Sequence, residues 1–286
     1  MLKNDIGLSK FNDYIDFLLK GQMQHHTVEK CPYCNSKKFI KHGKYLGVQR
    51  FKCKGCNKTF SLRTNTVYEY SKKSSETWIR FIELFIEKQT LRHCAKELDI
   101  SLTTAFYWRH KILSAINTSE ELKSLEGEVH IAKTLIRENF KGARNICTVD
   151  RKNIIVIVSI DSKDTMISLP LCKDLWSYKI FNDKVYRKIK KNSYIVPYGD
   201  RYLLKIARDH NKEMVKEHKE EMRIKFFNKL VHLWFMNFRG IATKYLEKYL
   251  SWFILDNLKK QIGWIKILED LSSLFTFIKS RDICKV

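Results

Sequence analysis

Apolar residues recur along this chain with two different periods, and the change between them divides it. Toward the N-terminus the spacing is helical. Lys10 to Lys20 reads as a leader helix, and Trp78 to Lys88 carries Ile79, Ile82, Phe85 and Ile86 along one face behind a polar Ser74-Ser75-Glu76-Thr77 start. A short helix follows from Thr90 to Leu98, then the turn Asp99-Ile100-Ser101, then a second helix from about Leu102 to Ile116. From about residue 125 the pattern becomes strand-like. Glu128 to Ile136 predicts one strand, and Asn145 to Val149 with Ile154 to Ile160 predicts a hairpin across Asp150-Arg151-Lys152-Asn153. After a mixed stretch, Ser193 to Val196 predicts a strand ending before Pro197, and long helices are expected over Arg201 to Asn211 and Lys216 to Phe235.

The paired helices around Asp99 have the shape of a helix-turn-helix. Ala95 is small enough for a close crossing, Ile100 plugs the turn, and Ser101 caps the next helix. Thr103, Thr104, Tyr107 and Arg109 fall near the start of that helix, where a recognition helix presents side chains to a major groove, while Phe106, Ile112 and Leu113 supply its inner face. A plain helical hairpin accounts for the same pattern.

Between the leader and these helices lies the most specific chemistry. Cys31-Pro32-Tyr33-Cys34 and Cys53-Lys54-Gly55-Cys56 are two Cys-x-x-Cys knuckles with 18 residues between them. Two such knuckles make the closed sulfur cage of a structural zinc site, so Cys31, Cys34, Cys53 and Cys56 are the expected ligands; a redox pair or a disulfide is the alternative. Asn35 and Asn57 each follow a knuckle, where the chain must turn through a left-handed conformation that Asn tolerates. Short flanking segments suit a small ribbon. His42 reads as a ribbon surface residue, because four thiolates already complete the shell, and His25-His26 reads as a loop or a weak accessory ligand. Cys94, Cys147, Cys172 and Cys284 show no pairing pattern, as for thiols in a reducing cytosol.

Charge points to a partner. The 286 residues carry 54 Lys+Arg against 31 Asp+Glu, a net +23, which favours a polyanion; a lysine-rich solvated surface is the alternative. The run Lys184 to Lys191 mixes bases with Tyr186 and could touch phosphates or simply face solvent. The N-terminus lacks the pattern of an export signal, and apolar runs such as Ile154 to Ile160 are too short to span a bilayer. The expectation is a cytoplasmic, nucleoid-associated protein that binds double-stranded DNA, with no membrane partner.

A longer signature lies near the C-terminus. Phe238-Arg239-Gly240-Ile241-Ala242-Thr243-Lys244-Tyr245-Leu246-Glu247-Lys248-Tyr249-Leu250-Ser251-Trp252-Phe253 closely resembles the Gly-Val-Ala-Thr-Lys-Tyr-Leu-x-x-Tyr-Leu-x-Trp signature of bacterial insertion-sequence transposases related to the Merlin elements. The order of ribbon, helix-turn-helix and strands-then-helices also resembles that family, from about residue 10 to 258. The resemblance implies a multidomain α+β protein: a helical leader (1–30), a zinc ribbon (31–62), a helix-turn-helix region (75–118), a ribonuclease H-like mixed α/β domain (125–258) and a helical tail (259–286). It implies a homodimer or higher oligomer too. Trp234 and Trp252 are expected in the core or at a docking face.

Members of such a family cleave and join DNA with two aspartates and an asparagine or glutamate that hold Mg²⁺, because a metal pair needs hard oxygen ligands around the scissile phosphate. The first aspartate sits in a context like Gly-x-Val-Glu-Ile-Asp-Glu-Thr. Here the matching residues are Gly127-Glu128-Val129-His130-Ile131-Ala132-Lys133-Thr134, so Ala132 stands at the aspartate position. The second position, about nine residues before Ala207, falls on Tyr198, and the third falls on Lys225. A methyl, a phenol and an ammonium cannot assemble a Mg²⁺ site. The expectation is therefore a sequence-specific DNA-binding protein with structural zinc and no catalytic Mg²⁺. One rival is an active transposase that recruits Asp200 or Glu221, with Asn228, Glu128 and Asp150 as weaker substitutes. A decaying element copy is the third reading.

Overall fold

The structure is a computed structural model. It describes residues 28–45, 48–61, 63–121, 124–140, 151–212, 222–238, 240–257 and 283. The expected leader helix, His25-His26, the strand over Asn145 to Val149, Asp150, Glu221 and nearly all of the tail lie outside those residues. The chain divides into two compact units: Met1–Ile116 with Lys259–Val286, and Asn117–Leu258.

In the first unit, β1 (Phe39–Tyr45), β2 (Val48–Cys53) and β3 (Thr59–Ser61) form an antiparallel three-stranded sheet in the order β1-β2-β3. Such a sheet is too small to bury much by itself. Phe39, Phe51 and Phe60 meet at centroid distances of 5.5–5.7 Å and fill the space beside the cysteines. The helices follow. α1 (Ser75–Ile86) starts where the Ser74 side chain accepts from the Thr77 amide, and α2 (Leu91–Glu97) where Thr90 accepts from His93. After Leu98 the chain passes through Asp99, whose φ of 47° is left-handed, and enters α3 (Leu102–Glu121). Ser101 takes the amide of Thr104 at 3.0 Å, the expected cap. The helices share a buried core in which Trp78 of α1 stacks on Trp108 of α3 at 3.7 Å, edged by Phe81. Burial of such large rings, more than helix propensity, holds these short helices in place.

The second unit is built on a four-stranded sheet of order β6-β5-β4-β7: β4 (Glu128–Arg137), β5 (Asn153–Asp161), β6 (Met166–Lys173) and β7 (Tyr194–Tyr198). β4, β5 and β6 pair antiparallel, and β7 joins β4 in parallel. Every residue of β5 after Asn153 is buried, as a continuous Ile/Val run requires of a central strand covered on both faces. On one face Val129, Ile131, Ile155, Ile157 and Ile195 pack with Phe181 of α4 (Tyr178–Lys184) and with Leu203, Ile206 and Ala207 of α5 (Arg201–Asn211). Against the sheet also lie α6 (Met222–Phe235), at β4 and β5, and α7 (Leu246–Asn257), at β6. Their aromatic cluster puts Trp234 edge-on to Trp252 at 5.2 Å and ties the Trp234 indole N–H to Asp256 at 3.0 Å, so both tryptophans are core residues.

Two sequence expectations need correction here. The downstream partner of β5 is β6, a strand that periodicity missed because Ser168 and Pro170 interrupt its apolar run. Proline is tolerated there because β6 is an edge strand, and the register shifts between Ile155 and Val156 beside it. β7 likewise runs through Pro197 to Tyr198 rather than stopping at Val196, since it too lies at an edge. Among the described residues no helix is long and apolar enough to cross a membrane.

Candidate functional site

The four ribbon cysteines converge. Cys31 Sγ lies 3.7 Å from Cys56 Sγ, Cys34 Sγ lies 3.5 Å from Cys53 Sγ, and all four sulfurs fall within 4.8 Å of one another. A tetrahedral ion holding thiolates at about 2.3 Å separates its sulfurs by about 3.8 Å, so the cage already has the size of an occupied site. Local backbone makes it so. Asn35 and Asn57 adopt φ of 57° and 58°, and each returns its amide to the first cysteine of its knuckle, at 2.9 Å to Cys31 O and 3.0 Å to Cys53 O. Gly55 sits where a Cβ would press on Ser36 at 3.3 Å. The amides of Cys56 and Gly55 lower the pKa of the Cys53 thiol, which favours the thiolate that a metal ion binds. The geometry fits a metal ion and leaves His42 exposed on β1, away from any ligand role. Among the described residues this is the one place where three or more metal-ligating side chains gather.

On α3 the expected base readers separate into two groups. Thr103 is exposed, and Thr104 and Tyr107 are half-buried. Arg109 points inward instead: it is 4% exposed and donates from Nη2 to the carbonyl of Gln89, tying α3 to the end of the α1–α2 connection. Its expected contact with bases is corrected, because a guanidinium spent on a buried carbonyl cannot reach a groove. Helical period places residue 109 on the same side as Ala105, Ile112 and Ile116, all buried, and that signal was available in the sequence. Lys111 is buried as well, donating to the carbonyls of Val67 and Glu69 at 3.2 Å each, and burial lowers its pKa.

In the second unit Ala132 on β4 stands opposite Tyr198 on β7 in the parallel register, and opposite Val158 on β5. The two positions that would match the first two carboxylates are thus adjacent across neighbouring strands. Around them the side chains are engaged with one another. The Tyr198 hydroxyl lies 2.8 Å from His130 Nδ1, His130 Nε2 lies 3.4 Å from Glu128 Oε1, and Thr134 Oγ1 lies 3.2 Å from His232 Nε2 of α6. Asp200 is 7% exposed and fully committed: Oδ1 caps α5 by accepting from Tyr202 N at 2.8 Å and Leu203 N at 3.2 Å, and Oδ2 accepts a close ion pair from Lys133. Lys225 falls within α6. The pairing of His130 with Tyr198 across 68 residues was not foreseen, and only the parallel register of β4 with β7 brings it about.

Of the basic run, Lys184 reaches Pro170 O and Glu247, Lys190 pairs with Glu126, and Lys188 is buried. Most of it therefore serves the fold. The C-terminal signature has a structural role that its sequence did not announce. Thr243 Oγ1 accepts from the Asn139 amide at 2.8 Å and the Thr243 amide donates to Asn139 O at 2.8 Å, which pins the end of β4. Gly240, at φ 82°, leaves room for the Asn139 side chain, whose Nδ2 would stand 2.4 Å from an added Cβ.

No protein-family model matches the chain. One solved structure, the crystal structure of a pre-cleavage Mos1 transpososome, is matched over 72% of this chain and 79% of that one, with 13% identity and a TM-score of 0.29, too low to carry a structural argument. Over 125 residues the sequence is 31% identical to an uncharacterized protein in the transposable element ISH50 of Halobacterium salinarum, a match covering 43% of this chain and 42% of that protein. The chain thus spans about two fifths of that relative, and by sequence it is similar to a protein carried by a transposable element.

Proposed function

We propose that this chain is a DNA-binding protein of insertion-sequence transposase ancestry, with structural zinc in its ribbon and a ribonuclease H-like domain that has lost metal-dependent chemistry. The observation that carries the proposal is the pairing of Ala132 with Tyr198 on adjacent strands, where the hydroxyl of Tyr198 meets His130 and a hydrogen-bonded cluster stands where carboxylates would gather. The strand order, three antiparallel strands and then a parallel fourth with helices on the sheet, supports the ribonuclease H-like reading. The net charge of +23 and the exposed start of α3 support duplex binding, with Thr103, Thr104 and Tyr107 reading bases and the ribbon gripping phosphates. A homodimer or higher oligomer is part of the same reading.

The rival, a transposase that recruits Asp200, loses support from that carboxylate's double engagement as helix cap and ion-pair partner. The test is strand cleavage with Mg²⁺ or Mn²⁺ on DNA carrying candidate terminal repeats. Wild type is expected to leave the DNA intact while binding it with a steep salt dependence. Cleavage abolished by Asp200→Ala or Glu221→Ala would establish the recruited-acid enzyme, and cleavage surviving both would put the ligand register elsewhere.

A further inference from the structure

The ribbon carries a second feature that zinc does not use. Between the sheet and the segment leading to α1 lies a pocket of about 410 Å³, within the about 300–1,000 Å³ range of sites for small organic groups. Its rim is aromatic. Tyr45 is 59% exposed and Tyr70 is 84% exposed, and both line the opening together with Tyr33. Exposed aromatics around one cavity expose apolar area at a cost unless something covers them. Tyr70 is also held at φ 60°, a left-handed conformation that a bulky side chain rarely adopts, so the backbone presents this ring outward against its own preference.

Charge around the rim is mostly positive. Arg50, Arg63 and Lys72 line the pocket, and Lys58 Nζ sits 4.8 Å from the centroid of the Tyr33 ring. The single carboxylate there, Glu69, accepts the Asn65 amide at 2.7 Å and is thereby turned to the turn it stabilises. Tyr68 also lines the pocket. It is 3% exposed, its hydroxyl makes no hydrogen bond, and burial raises its pKa, so it remains a phenol donor.

Planar stacking surfaces beside cations, with a donor at the pocket wall, are the chemistry of an unpaired nucleotide: a base against the tyrosines, a phosphate toward arginine and lysine. A base-paired duplex hides its base faces and cannot use such rings. We propose that this pocket takes one unpaired nucleotide of single-stranded or frayed DNA, with its base stacked against Tyr45 and Tyr70 and its phosphate near Arg50 and Lys72. The proposal rests on the DNA-binding reading above and adds a substrate form to it.

The test uses the full-length, zinc-loaded protein and fluorescence anisotropy with three probes: an oligothymidylate strand of about 20 nucleotides, a blunt duplex of the same length, and that duplex with a short unpaired overhang. Tyr45→Ala and Tyr70→Ala, both at exposed positions, are expected to weaken the single strand about tenfold or more while the blunt duplex changes less than about twofold. Tyr45→Phe and Tyr70→Phe are expected to keep single-strand affinity, because stacking needs the ring and not the hydroxyl. The overhang probe is expected to bind tighter than the blunt one and to lose that advantage in the alanine variants. Equal loss on all three probes, no loss on any, or a wild type that binds only the blunt duplex would overturn the pocket. Single-strand binding that depends on the tyrosines, with no duplex binding, would support the pocket and retire the duplex reading.

Discussion

Asp200 gives the sharpest separation between a structural and a catalytic role. Its Oδ1 caps α5 through two backbone amides, and its Oδ2 pairs with Lys133. Asp200→Ala removes both. The lost cap costs about 1 kcal/mol, and the lost charge-assisted contact at a 7% exposed site costs about 1–2 more, for a total of about 2–3 kcal/mol. Lys133 is partly exposed and can turn to water, which keeps the second contribution at the low end of what a fully buried pair would cost. Asp200→Asn keeps a competent cap and loses the charge, so it should cost only about 1 kcal/mol. Urea unfolding, followed by tryptophan fluorescence because Trp176 stacks on Tyr202 of α5 at 5.4 Å, measures the order wild type, Asn, Ala. Millimolar Mg²⁺ should shift none of the three midpoints. An alanine variant as stable as wild type, or a wild-type midpoint raised by Mg²⁺ only when Asp200 is present, would refute this reasoning and make the residue a metal ligand.

Purified protein should contain one zinc per chain, and Cys53→Ser should release it and unfold the ribbon while the far-ultraviolet signal of the second unit persists; elemental analysis and circular dichroism read the two effects. Glu126 is held down to about 2 by hydrogen bonds from Lys163 and Lys190 and by their charge. A carboxylate with a depressed folded pKa adds stability that is present above its ordinary 4.5 and disappears as pH falls toward about 2. Glu126→Gln should therefore lower the unfolding temperature at neutral pH and leave it unchanged near pH 2, whereas an equal drop at both pH values would place its role outside this ion pair.

Much of this was legible in the sequence, for identifiable reasons. The cage was fixed by spacing alone, because a Cys-x-x-Cys knuckle is a local structure and Asn35 and Asn57 supplied the turn each one needs. Helix starts at Ser74, Thr90 and Ser101 followed from side chains that reach only their own next turn. Arg109 is expected at a groove from its place near the start of α3, but helical phase sets it on the inward face that Ala105 and Ile112 mark. β6 was missed because Pro170 breaks an apolar run, and only the whole sheet reveals it as an edge where that break is harmless. The contact of His130 with Tyr198 depends on a parallel pairing between strands far apart in the chain, which no local pattern encodes.

The clamp of Thr243 on Asn139 has a consequence for the order in which this protein comes into being. Its two halves are 104 residues apart, and β4 emerges from the ribosome long before the segment that pins its end. Contacts of such separation are slow to form, and the end of β4 is fastened only when nearly the whole second unit has been made. In the interval β4 keeps one end unfastened even after its neighbour β7 has been made. A nonsense change just before Gly240 would therefore cost more than the last helix: all four strands would be made, but the end of β4 would stay unpinned and β6 would lose the helix that lies against it, leaving apolar surface for proteases or for other copies to find.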